Sequence, residues 1–261
     1  MDDASFIHPT AVVDPKAELG AGVRIGPYAV IGPQVVLQDK VDVGAHAVID
    51  GRSDIGQATR IFSFASIGQV PQDSHYGGEP TRVEIGKRCA IREYVSIHRG
   101  TEGGGGLTRV GNDCMIMAYA HVAHDCRVGD HVIMANGATL AGHVEIQDYA
   151  VIGGLTAIHQ FARIGRNAFI GGASAISMDV IPFVSAAGNR AKITGVNVVG
   201  LRRHGFSEEV IKAIRQAYRI VFRSNLRMEQ AIEELERHLS SCVEIQYILE
   251  FLQSGQRGIC R

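Results

Sequence analysis

An aliphatic residue returns at every sixth position of this chain. It does so from Ile7, Val13 and Leu19 to Ile67, then in the same register at Ile85, Ile91 and Ile97, and after one shift from Val110 to Ile176. Glycine often follows it, as at Gly26, Gly44, Gly129 and Gly165, and four positions after it stands a small or β-branched residue such as Ala29, Val41, Ala120 or Val132. A period of six is neither that of an α-helix nor that of a strand. A unit so short supplies one brief strand and one corner. It can bury its aliphatic side chain only by stacking on its neighbours, which is the logic of a parallel β-helix. Three units close a triangular coil of about 18 residues, with coils spaced like strands of a sheet at about 4.8 Å.

The composition agrees: 31 glycines and no tryptophan describe a chain built on tight turns more than on aromatic packing. Two segments interrupt the rhythm, VPQDSHYGGEPTR over 70–82 and HRGTEGGGGLTR over 98–109. Both are rich in turn residues and are expected to leave the coil as loops. After Ile176 the repeat fades. From Ser207, a plausible N-cap, apolar residues at Ile211, Ile214, Tyr218, Val221 and Phe222 follow a helical period, and a second helical segment is expected over 228–253. The expectation is a mainly β chain: a β-helix over 1–195 with two protruding loops, then a C-terminal α-helical domain over 196–261.

A formal charge of -1 gives no global attraction to nucleic acid, and no zinc-finger or RNA-binding signature is present. No apolar run is long enough for a membrane span, and the start MDDASFIHPT lacks an apolar signal core. A cytoplasmic protein with no integral membrane segment is expected. The cysteines Cys89, Cys114, Cys126, Cys242 and Cys260 form no CxxC pair, which argues against a disulfide framework and a zinc ribbon. The first three fall on the small fourth-after position and read as buried packing thiols.

The chemistry gathers at AHVAHDC, Ala120 to Cys126. On an 18-residue coil Val122, Leu140 and Ile158 share one face, so His124, His143 and His159 are expected to converge along one edge, with His121 beside the first. Two readings compete. A neutral imidazole can act as a general base with Asp125 fixing its tautomer, or three histidines can hold zinc with an open position. The Asp125 role requires corner geometry, because neighbours on a strand point apart.

The spaced combination IHRGT, AHVAHDC, LAGHV and AIHQF, with QDSHYGGEPTRVEIG, AAGN and GVNVVGLRRHGFS, resembles the acyl carrier protein–UDP-N-acetylglucosamine O-acyltransferase family of lipid A synthesis, over nearly the whole chain. The resemblance implies a left-handed coil, an exception to the right-handed crossover rule, and a homotrimer with active sites between subunits. It implies that His124 is a general base, Asp125 its orienting partner and the Gly142 N–H an oxyanion donor. Gln72, Asp73, His98, His121, His143, His159, Gln160, Asn197 and Arg203 would line the sites for UDP-N-acetylglucosamine and the acyl donor, and Gly172 would floor an acyl groove for a twelve-to-fourteen-carbon chain. No metal and no cofactor are implied. The sequence departs from the family pattern at His75, where lysine is common, and at His204, where a second arginine is familiar.

Arg215, Arg219, Arg223 and Arg227 are spaced four apart, within a segment holding seven basic residues against Glu208 and Glu209. Such a stripe would steer an acidic carrier protein; a merely solvated face is its plainer meaning. Three other functions share this scaffold in principle: a zinc hydratase, a coenzyme-A-dependent acetyltransferase, and a non-catalytic binding surface.

Overall fold

The computed structural model describes residues 4–239 and 241–261; residues 1–3, at the acidic start of the chain, and residue 240 lie outside them. Short strands run from Phe6–Ile7 to Ala175–Ile176, each pairing in parallel with the strand one coil later: Phe6 with Arg24, Val12 with Val30, Glu18 with Val36. Among the described residues the pairing sorts them onto three faces of a prism, which hold eleven, nine and eight strands once two later strands, over 184–187 and 192–196, are counted on the first. From the second coil on, the repeating aliphatic residue is buried while its predecessor is less so, as in Arg24–Ile25, Met115–Ile116 and Thr139–Leu140. The result is one dry column in which Ile25, Ile49, Ile91, Ile116, Leu140 and Ile170 are 0% exposed. Cys89, Cys114 and Cys126 are free and buried in it, as their repeat position predicts.

The corners explain how six residues suffice. The third residue after the aliphatic one takes the left-handed backbone conformation almost throughout, with φ of 58° at Tyr28, 64° at Phe64, 61° at Asp125, 61° at His143 and 63° at Phe161. A side chain there costs about 1 kcal/mol. The cost is offset because the N–H of that residue donates to the preceding coil, at most corners to a carbonyl (Tyr149 to Asp130 at 2.9 Å, Leu155 to Asn136 at 2.9 Å, Asn167 to Asp148 at 3.0 Å) and at Tyr28 and Asp125 to a threonine hydroxyl. Side chains at this position stand outward and stack from coil to coil. On the corner between the eleven- and nine-stranded faces, Tyr28, His46, Phe64, Tyr94 and Tyr119 form a ladder with ring centroids 4.9 to 5.1 Å apart.

Both interruptions leave from a different corner, the one between the nine- and eight-stranded faces, and return to the coil in register. They are shorter than the sequence suggests. Arg82 and Leu107–Arg109, read there as loop, already pair on the eight-stranded face, because the ladder claims every residue that can reach it. After Ile176 the strand Val184–Ala187 still pairs in parallel, and Lys192–Val196 then folds back antiparallel upon it.

Among the described residues four helices follow: α1 (Val198–Arg203), α2 (Glu208–Arg223), α3 (Met228–Leu239) and α4 (Val243–Gln253). Ser207 caps α2 through its hydroxyl, which accepts the Val210 N–H at 3.3 Å. The single segment expected over 228–253 is two helices, because Cys242 takes an extended conformation and begins a new one. Among the described residues no helix is long and apolar enough to cross a membrane.

Arg163 fastens α4 to the prism. Its guanidinium donates to Asp179 Oδ2 at 2.8 Å, to the Phe251 carbonyl at 2.9 Å and to Ser254 Oγ at 3.0 Å, and lies 4.1 Å from the Phe251 ring centroid. Arg163→Ala would strand a carboxylate whose side chain is 2% exposed. We expect a loss of about 3 kcal/mol, read by circular dichroism as a lowered Tm.

Candidate active site

His124 and Asp125 sit in the turn between the strands His121–Val122 and Arg127–Val128. Gly142 and His143 occupy the same turn one coil later, and Gln160 and Phe161 one coil later again. The left-handed backbone at Asp125 removes the objection that adjacent strand residues diverge. The two side chains converge instead, with His124 Nδ1 2.8 Å from Asp125 Oδ2.

The Asp125 carboxylate is the buried anchor of this corner, its side chain 1% exposed. Oδ1 accepts the Thr101 N–H at 2.8 Å and Oδ2 accepts the Thr101 hydroxyl at 2.7 Å, while the Asp125 N–H donates to Thr108 Oγ1 at 2.8 Å. An ionised carboxylate can only accept. In the neutral ring a carboxylate at Nδ1 selects the tautomer with its proton on Nδ1, which leaves the lone pair on Nε2. That atom has no partner among the described residues. The ring lies across Gly142, where an added Cβ would stand 2.7 Å from Nε2, so only glycine fits. The Gly142 N–H has no acceptor among the described residues. A free imidazole nitrogen and a free amide hydrogen thus occupy one small space.

The surrounding rings form two pairs. His143 meets His124 edge-on at 5.2 Å and stacks on Phe161 at 4.4 Å, with its Nε2 3.7 Å from Asp125 Oδ2. His98 meets His121 edge-on at 5.0 Å, and His121 Nδ1 lies 2.7 Å from Ser96 Oγ. His98 is 7% exposed and its Nδ1 has no partner among the described residues. Asp73, from the first loop, accepts the backbone N–H of His75 at 2.9 Å; this bond and that from the His75 ring hold its carboxyl below the usual range. The loop is latched to the second one by Arg99, whose guanidinium donates to Tyr76 Oη at 3.0 Å and to the Gly68 carbonyl at 3.2 Å. Burial pushes the neighbouring Cys126 thiol up to about 12, so it stays protonated and unsuited to attack.

Not every residue singled out from sequence joins this group. His159 and Gln160 are exposed on the same edge, but His159 Nδ1 lies 3.0 Å from its neighbour's carbonyl and 3.3 Å from Arg257, with no contact to His124 or His143. The third histidine of the expected cluster is therefore replaced by Asp125: ligand atoms of His124, Asp125 and His143 lie within 4.8 Å of one another. Both Asp125 oxygens are already engaged. Gly172 is exposed at the corner of the aromatic ladder, a different edge. Asn197 caps α1, accepting the Gly200 N–H at 3.1 Å and donating to the Asn167 carbonyl at 2.9 Å. Arg203 is exposed beside it, near the third corner, and His204 Nδ1 lies 2.6 Å from Asn167 Nδ2. Gln72 and His75 are exposed on the first loop. Arg215, Arg219 and Arg223 are exposed on α2, opposite buried Ile211, Ile214, Ala217 and Val221. Arg227 lies beyond the end of the helix, which shortens the stripe, and Arg202 is paired with Glu208 at 2.7 Å. Sequence reading missed Thr101 and Thr108, whose only signal was their place in a glycine-rich break.

Comparison with known proteins agrees with this geometry. Residues 16–51 and 107–142 match the bacterial transferase hexapeptide repeat, and residues 179–260 match the second domain of UDP-N-acetylglucosamine O-acyltransferases. The chain is 51% identical over 256 residues to the acyl-[acyl-carrier-protein]–UDP-N-acetylglucosamine O-acyltransferase of Syntrophobacter fumaroxidans, covering 98% of this chain and 99% of that one. It is 51% identical to the protein of the same name from Thermodesulfovibrio yellowstonii, again covering 98% and 99%. Among solved structures, LpxA from Acinetobacter baumannii superposes with a TM-score of 0.96 at 45% identity, covering 98% of this chain and 100% of that one. The likeness and the repeat together make the coil the left-handed β-helix expected.

Burial, helped by His121 and His124, holds His98 down to about 4 from an ordinary 6.5, and burial also lowers His121 and His143. An unfolded chain would protonate these rings as pH falls through about 6.5, while the folded chain resists until lower pH. Their stabilisation is therefore complete above that value and lost as pH falls toward 4. The urea midpoint is expected to drop across this window, and His98→Gln should flatten the drop.

Proposed function

The chain belongs to the acyl-[acyl-carrier-protein]–UDP-N-acetylglucosamine O-acyltransferase family, and from that membership we propose that it moves a (R)-3-hydroxyacyl chain from acyl carrier protein to the 3-hydroxyl of UDP-N-acetylglucosamine, the first step of lipid A biosynthesis. The observation that carries the chemistry is the free Nε2 of Asp125-held His124 beside the unpaired Gly142 N–H.

In this reading His124 Nε2 removes the proton of the sugar 3-hydroxyl as its oxygen attacks the thioester carbonyl. Asp125 stabilises the resulting imidazolium through Nδ1, and the Gly142 N–H receives the negative charge that develops on the carbonyl oxygen. Collapse expels the carrier's thiolate, which takes the proton back from His124. No covalent enzyme intermediate is required, and the neighbouring thiol is held protonated.

Gln72, Asp73, His98, His121, His143, His159 and Gln160 would surround the substrates on this edge. Asn197, Arg203 and Gly172 belong to other edges of the same prism, so in this reading a neighbouring subunit brings them, in a homotrimer with sites between subunits. The departures at His75 and His204 would fall on phosphate recognition. We read residues 1–195 as the catalytic β-helix and 196–261 as the helical domain that receives the carrier, with Arg215, Arg219 and Arg223 of α2 as its docking stripe. The reaction would take place in the cytoplasm and use neither cofactor nor metal.

Purified protein incubated with UDP-N-acetylglucosamine and 3-hydroxytetradecanoyl carrier protein should yield the acylated sugar nucleotide by mass spectrometry. His124→Ala is expected to lower turnover by about 10²- to 10⁴-fold, and a chelator to leave it unchanged. Stoichiometric zinc with chelator-sensitive activity would favour the hydratase reading of His124, Asp125 and His143. Raising salt should increase KM for the carrier-bound donor and leave KM for the sugar nucleotide less affected, since exposed charge pairs are screened. Donors of twelve to fourteen carbons are expected to outrun ten-carbon donors; the reverse order would remove Gly172 from the acyl groove.

A further inference from the structure

We propose that the second loop is a carboxylate clamp and that Thr101 is a positioning residue for His124, acting entirely through Asp125. The inference rests on the reading of His124 as the base. A carboxylate on a lone corner would swing about its side-chain torsions, and one buried without donors would be costly to ionise. Thr101 addresses both needs at once, since its N–H and its hydroxyl take different oxygens of the same carboxylate, at 2.8 and 2.7 Å. Two donors on two oxygens fix the plane of the group. The oxygen that accepts the hydroxyl also meets His124 Nδ1 at 2.8 Å, so the plane of the carboxylate sets the aim of the imidazole.

The loop sequence fits that task. Thr101 is 7% exposed and caps a single turn of 3-10 helix, Glu102–Gly104, whose end folds over the carboxylate. A Cβ at Gly104 would land on the Asp125 carboxyl atoms, and one at Gly100 would stand 2.8 Å from Oδ1. Neither glycine needs a left-handed backbone. Gly104 is small because the carboxylate occupies the room, and Gly100 because the backbone of Gly106 and Leu107 stands closer still. The same loop reaches forward to Thr108, whose Oγ1 accepts the Asp125 N–H at 2.8 Å, so backbone and side chain of Asp125 are held by one segment.

Thr101→Val keeps the shape and the N–H but removes the hydroxyl donor. We expect kcat to fall about 10- to 100-fold with KM for sugar nucleotide and acyl donor unchanged, because Thr101 touches neither. Thr101→Ser, which restores the hydroxyl, should recover most of the turnover. Gly104→Ala, which adds one methyl against the carboxylate, should lower kcat as well, in a protein whose circular dichroism matches the parent. If Thr101→Val and Gly104→Ala retain kcat within twofold while His124→Ala is inactive, the clamp is overturned and the base survives. If the serine variant is as slow as the valine variant, or if both KM values rise in step with the loss of kcat, the positioning role is overturned. Full turnover by His124→Ala would overturn the premise itself.

Discussion

One bond recurs along this molecule: the N–H of a left-handed corner residue donating to the coil before, to a carbonyl at most corners and to a threonine hydroxyl at Asp125. A helix closes its hydrogen bonds within itself and a hairpin within a pair of strands. Here a six-residue unit closes one turn bond within itself at some corners, such as Ala138 N–H to the Ala135 carbonyl, and the bonds of its strand only on neighbouring coils, so the strand has no meaning alone. The corner conformation is unfavourable for a residue with a side chain, and stacking makes it tolerable. Once tolerated, it turns that side chain outward at the edge of the prism, in line with those above and below. The corner that carries His124 and Asp125 is one such edge.

The His124–Asp125 pair follows directly. Two adjacent residues can share a hydrogen bond because one of them has left-handed φ, and the burial that makes the carboxylate valuable comes from a loop inserted one coil earlier. The loop's glycines and Thr101 have no role in the repeat, whereas Thr108 belongs to the strand to which the loop returns. The first loop leans over the same histidines and is latched through Tyr76 and Arg99. The insertions and the dyad therefore form one structure, although about fifty residues separate Gln72 from Asp125.

Much of this was legible in the sequence, and for a physical reason. The hexad is a packing rule, and a rule repeated so often leaves its mark in composition, so the three faces, the buried cysteines and the shared edge of His124 and His143 could be placed. The helical part was less legible. A break such as the one at Cys242 needs only one extended residue, and no apolar period reports it. His159 shares the edge of His124 and His143 as its register places it, but one step along a corner changes which way a side chain leaves the coil, and proximity in register is not contact. Thr101 and Thr108 were invisible because hydrogen bonds to a buried carboxylate have no periodicity. Asn197, Arg203 and Gly172 lie on other edges, where a single chain brings them nowhere near His124.

The stacking of corners also grades the site in steps. Along the working edge, His124, Gly142 and Gln160 hold the same position in successive coils, so a contact can be moved up or down only by a whole strand separation, about 4.8 Å. Substitution can change what stands on a rung, and a loop can change what hangs over it, but the rungs themselves cannot be respaced. A ligand laid along such an edge is measured against a scale with fixed divisions, and preference for its length would change by jumps between divisions, with the core beneath left untouched.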